Sequence, residues 1–178
     1  MAHDIRSRRR TNRRRVVCWG AAGLLLLVPL AAMRFTDEVA WTASDFLFAA
    51  IVFATVGGTF ELALRLSPSP FYRAGVGAAL AASFVIVWAN GAVGMIGSED
   101  DPYNLLFLGV ILLALAGAFA ARFRAPGMAL AMAAAALAQL AVALGGLASD
   151  PRGALFSAGF AALWLLAAAL FRKATHAP

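Results

Sequence analysis

The sequence has 178 residues, of which 62% are hydrophobic and only 13% charged. A soluble domain averages about 45–50% apolar and about 25% charged residues, so this mixture cannot cover a soluble surface and an integral membrane protein is expected. The net charge of +6 does not point to nucleic acid: seven of the fifteen basic residues crowd into RSRRRTNRRR at positions 6–15, and the others stand singly or in pairs between apolar runs.

A basic tail beside a membrane helix is a topology signal and a contact for anionic lipid headgroups. Residues 1–15 are therefore read as a cytoplasmic tail. The first apolar run, 16–33, follows it directly. It resembles a signal peptide, but it is long and no A-x-A cleavage site follows, so a retained helix is expected. Cys18 is the one cysteine and cannot form an internal disulfide. Pro29 is placed to kink this helix near its outer end.

Five further apolar runs follow at 44–66, 72–96, 103–123, 127–147 and 153–171, and residues 172–178 form a second tail. Each run is close to the ~20 residues that cross ~30 Å of hydrocarbon as a helix. None shows the alternation of a barrel strand, and in lipid a helix satisfies its own backbone. The charges then assign sides. The first tail, Arg65, Arg73, Arg122, Arg124, Arg172 and Lys173 fall on one side, against Arg34 and Arg152 on the other. Asp37, Glu38, Glu99, Asp100, Asp101 and Asp150 share that other side, with Asp45 at the start of the second helix. The positive-inside rule is met at every loop by six helices with both termini cytoplasmic. Short loops make sequential helices antiparallel neighbours, so an all-α, six-transmembrane-helix up-down bundle is predicted. A faint repeat at an offset of 59 aligns Gly58, Phe60 and Arg65 with Gly117, Phe119 and Arg124 and raises the idea of hairpin duplication.

The polar residues carry any function. In GSEDDPYN, positions 97–104, Asp101-Pro102 fits an N-cap followed by proline at the first helical position. Ser44-Asp45, Ser69-Pro70 and Asp150-Pro151 repeat this pattern at three other helix starts. One cap needs one acid, which leaves Glu99 and Asp100 as surplus. With Asp37 and Glu38 on the same face, these carboxylates are weak candidates for a hard cation site, although no loop has EF-hand spacing. Trp41, Tyr103 and Asn104 are candidates for an interaction surface, with an interfacial aromatic belt as the plainer role for the two rings. Within the membrane the polar residues are Glu61, Asn90 and Gln139. Glu61 lies about 26 Å along its helix from Ser44, with Arg65 four residues on, in the order that favours a pair near the cytoplasmic interface. Asn90 and Gln139 fit hydrogen bonding between helices or, with Asp45, the lining of a pathway.

His3 and His176 lie at the ends, and no P-loop, GxSxG or HExxH occurs. Neither an enzyme nor a bound cofactor is expected. The segments FTDEVAWTASDF and GMIGSEDDPYNLLF resemble a family of small, uncharacterised multi-pass inner-membrane proteins of bacteria, over about residues 35–124. The resemblance implies no activity, but it singles out Asp37, Glu38, Asp45, Asn90, Glu99, Asp101, Pro102 and Asn104. The expected function is that of a non-enzymatic accessory or scaffold protein that binds a membrane-protein partner or its own copies. The alternative is a small transporter or channel, monomeric or oligomeric, with an acidic outer vestibule that attracts cations.

Overall fold

The computed structural model describes residues 19–20, 23–36 and 40–176. The predicted tail 1–15 lies outside them, as do residues 16–18, with Cys18, and 21–22 of the first predicted run; the described part of that run includes helix α1, Gly23–Ala32. The remaining helices are α2 (Ala43–Leu66), α3 (Pro70–Ala92), α4 (Leu105–Ala120), α5 (Ala125–Gly145), α6 (Pro151–Gly159) and α7 (Ala161–His176). A 3-10 turn, Pro102–Asn104, leads into α4. No strand occurs among the described residues. Five segments are long and apolar enough to cross a membrane: Ala43–Leu66, Pro70–Ala92, Pro102–Ala120, Ala125–Gly145 and Pro151–His176. The chain is a small multi-pass membrane protein with an all-α fold.

It forms two compact units, Met1–Glu61 and Leu62–Pro178. In the first unit, Trp19 lies against α2 at Gly57, where a Cβ would come within 3.0 Å of the indole. Helix α2 starts one residue before the predicted Ser44. The Asp45 carboxylate reaches back to the Thr42 N–H at 2.7 Å and the Thr42 hydroxyl at 2.8 Å. Thr42, rather than Ser44, is therefore the residue whose backbone donor the Asp45 carboxylate satisfies, as the acid of a capping box does.

The second unit is a bundle in which α7 packs on both α5 and α3, and α5 packs on α4. Helices α3 and α4 touch only lightly although they follow each other in sequence. The expectation that every sequential pair would be close neighbours therefore fails at this pair. The long connection 93–101 lets α3 pair with α7 instead. The pairing is close because Gly75 lies beneath the Phe171 ring, 3.2 Å from where its Cβ would be. Tyr72 meets the same ring edge-on, with centroids 5.2 Å apart. On the other side of the bundle, a Cβ at Gly117 would stand 2.7 Å from that of Ala131.

Helix α5 shows how alanine serves here. Ala131, Ala135, Ala136, Gln139 and Ala143 are buried, while Leu130, Leu137 and Leu144 are exposed. Lipid tails are as apolar as leucine, so burying leucine gains little in a membrane. Small residues instead bring helix backbones close and maximise dispersion contacts. Trp164, Phe107, Phe171 and Ile86 fill the interior and are fully buried.

The predicted sixth helix is not continuous. It breaks at Phe160, where the chain turns between α6 and α7. The Ser157 carbonyl accepts from Phe160 N–H at 3.2 Å and also from Gln139 Nε2 at 2.9 Å. A foreign side chain inserted into the helical hydrogen-bond ladder, beside a Ser/Gly pair, is a recognised cause of such a break.

Candidate functional site

One group of polar side chains of the second unit, Asn104, Asp150 and Ser157, gathers around loop 93–104. Helix α3 ends at Ala92, four residues before the predicted Ile96. Gly94 and Gly97 take φ of +75° and +69°, a region that favours glycine, and turn the chain back over the bundle. This leaves Met95 and Ile96 buried but non-helical, so their backbone groups need partners.

Asn104 supplies most of them. Its Oδ1 accepts from Met95 N–H at 3.0 Å and Ile96 N–H at 2.9 Å. Its Nδ2 donates to Ile96 C=O at 3.1 Å and Ser98 C=O at 2.7 Å. Ser157 Oγ donates to Met95 C=O at 3.1 Å. Asp150 Oδ2 accepts from Gly97 N–H at 3.0 Å, and its Oδ1 accepts from Gly153 N–H at 2.9 Å, the capping contact of α6. Two backbone donors on one carboxylate hold Asp150 below its ordinary pKa of 3.8; the Gly153 bond is the largest cause, the Gly97 bond the next, and Arg152 adds to them. Tyr103 OH donates to Val142 C=O at 2.7 Å and ties the loop to the end of α5.

Each acid of GSEDDPYN now has a place. Asp101 accepts from Tyr103 N–H at 2.8 Å and caps the 3-10 turn that Pro102 opens. The proline therefore starts a 3-10 turn, and α4 itself begins at Leu105. Glu99 and Asp100 are exposed. Asp37 and Glu38 lie outside the described residues. Among the described residues, no three Asp, Glu, His or Cys side chains come close enough to hold a metal ion.

The interaction-surface candidates separate. Asn104 is 6% exposed and spends its whole amide on the loop, so it is an internal clamp rather than a surface residue. Tyr103 is half-buried and engaged with α5, and Trp41 packs edge-on against Phe46 at 5.2 Å.

The pathway candidates separate as well. Asp45 is exposed and engaged with Thr42. Glu61 and Arg65 lie one turn apart on α2. Gln139 is fully buried against Ser157, and its Oε1 has no hydrogen-bond partner among the described residues. Both polar atoms of Asn90 are likewise buried and without a partner there, as is Trp164 Nε1.

The sequence reading missed Ser157, which links α5, α6 and loop 93–104 through its hydroxyl and carbonyl. A lone serine in an alanine-rich run carries no signal of that role. The chain matches no known family model, no curated protein and no solved structure.

Proposed function

We propose that this chain is a small non-enzymatic accessory or scaffold protein of a bacterial inner membrane, with both termini cytoplasmic. The reading places it with the small inner-membrane family whose acidic segments it resembles. One observation carries it: the outer loop is clamped by Asn104, Asp150 and Ser157 above an interior filled by Trp164, Phe107, Phe171 and Ile86. Such a body is a rigid platform that presents Glu99 and Asp100 on a fixed loop, which suits recognition of a cationic segment on a membrane partner. The test is purification from the native host in mild detergent, followed by native mass spectrometry. A stoichiometric second protein that is lost from the Glu99→Gln/Asp100→Asn variant supports the proposal. A lone chain whose mass is unaffected by the variant refutes it.

A transporter or channel is the second reading, favoured by the buried Asn90 amide and the buried Gln139 Oε1, which have no hydrogen-bond partner among the described residues. It predicts solute flux by the pure protein in liposomes, reduced when Glu99 and Asp100 are neutralised. Absence of flux across a panel of monovalent and divalent cations removes it.

A further inference from the structure

We infer that the Tyr72 end of the second unit is a binding surface for the headgroup of an anionic phospholipid. Tyr72 is the hub that assembles it. Its hydroxyl donates to Phe123 C=O at 2.7 Å, which holds the α4–α5 turn against the start of α3. Its ring packs edge-on to Phe171 and holds the end of α7 at the same place. Lys173 Nζ lies 5.4 Å from the centroid of the Phe71 ring, a further contact between these ends. Arg122, Arg124, Arg172 and Lys173, which flank Phe123 and follow Phe171, are all exposed.

No acidic side chain among the described residues of this unit lies at this end. Its acidic residues are Glu99, Asp100, Asp101 and Asp150, and all four belong to the loops at the other end of the bundle. Arg73, by contrast, is engaged: its Nε donates to Ser67 C=O at 3.0 Å and its Nη2 to Leu64 C=O at 3.3 Å. Arg122 and Phe123 take φ of 50° and 56° in the turn that ends α4, where Phe123 N–H reaches Ala118 C=O at 3.0 Å. Glycine is the usual residue at the first of these positions, so the turn geometry alone does not explain an exposed arginine there.

The neighbouring apolar surface selects a lipid over a free anion. Phe119 and Leu130, on the adjoining turns of α4 and α5, are 61% and 74% exposed, which leaves a lane for acyl chains beside the cations. Arginine suits a phosphodiester because its fork donates two parallel hydrogen bonds. Clusters of this kind at the cytoplasmic end of helices are where anionic headgroups bind.

The test uses the full chain in nanodiscs of phosphatidylcholine with 20 mol% phosphatidylglycerol, followed by native mass spectrometry of the lipids retained on release. The comparison variant is Arg122→Gln/Arg124→Gln/Arg172→Gln. The first tail is intact in both proteins, so it contributes equally to each. Wild type should retain phosphatidylglycerol over phosphatidylcholine. At about a fivefold effect per interfacial cation, the triple variant should lose about a hundredfold of that preference. Arg152→Gln, at the opposite end, should leave the preference unchanged, and circular dichroism should show equal helix content in all three proteins. Equal preference in wild type and triple variant overturns the inference. So does an equal loss in Arg152→Gln, which would make the effect one of overall charge. If the triple variant loses helix content, Arg172→Gln alone is read against Arg152→Gln by the same criterion.

Discussion

Asn104→Ala is the perturbation with the largest expected effect for the fewest atoms removed. The side chain makes four hydrogen bonds of 2.7–3.1 Å and is 6% exposed. At about 1 kcal/mol net for each bond, its loss should cost about 4 kcal/mol. The Met95 and Ile96 N–H groups would be left buried without an acceptor, which adds to the cost rather than reducing it. Against a total stability of about 5–15 kcal/mol, that is a large fraction. Two assays read it. Equilibrium unfolding in mild detergent should show the loss directly. Hydrogen exchange should speed up at Met95 and Ile96 by about a thousandfold, at 1.4 kcal/mol per decade, while amides in the middle of α5 change only as far as global stability falls. Asn104→Asp keeps an acceptor for the two N–H groups but loses the Nδ2 donor, so it should fall between wild type and alanine. An alanine variant within about 0.5 kcal/mol of wild type, with unchanged exchange at Met95 and Ile96, would show that the loop is held by something other than Asn104.

Gln139→Leu should change stability by less than about 1 kcal/mol, because it removes the bond to Ser157 together with the unpartnered Oε1; Ser157→Ala should cost more, about 1–2 kcal/mol, because it strands the Met95 carbonyl. Thermal unfolding of the two variants side by side checks the order. Gly153→Ala should destabilise, since the new Cβ would overlap Asp150 Oδ2 and stand 2.5 Å from Met95 O, whereas Gly109→Ala meets nothing within 4 Å and should be neutral or stabilise by up to about 1 kcal/mol. The same melting experiment separates them. The folded pKa of Asp150 is depressed, so its contribution to stability is present above its unfolded value near 3.8 and is lost as pH falls through the lower folded value. Unfolding midpoints from pH 6 to pH 3 should therefore fall less steeply in Asp150→Asn than in wild type, and parallel acid limbs would contradict this.

The all-α membrane class was legible from composition and run length alone, because a helix is the element that satisfies its own backbone in hydrocarbon. Helix starts were legible where cap chemistry is local: Ser69 accepts from Tyr72 N–H, Asp101 from Tyr103 N–H and Asp150 from Gly153 N–H. The surplus of Glu99 and Asp100 over the single capping acid was legible for the same reason, since a cap concerns neighbours two or three residues apart. The pairing of α3 with α7, the break at Phe160 and the burial of Asn104 were not. Each depends on a partner beyond the reach of a local cap: Phe171 over Gly75, Gln139 on the Ser157 carbonyl, and Asn104 on the Met95 and Ile96 N–H groups. Hydropathy averages over a run and cannot register one amide that inserts into another helix's ladder. Only the folded chain brings Gln139, Ser157, Met95 and Asn104 together, because an unwound, buried stretch of backbone must find its hydrogen bonds wherever the tertiary structure places a donor or an acceptor.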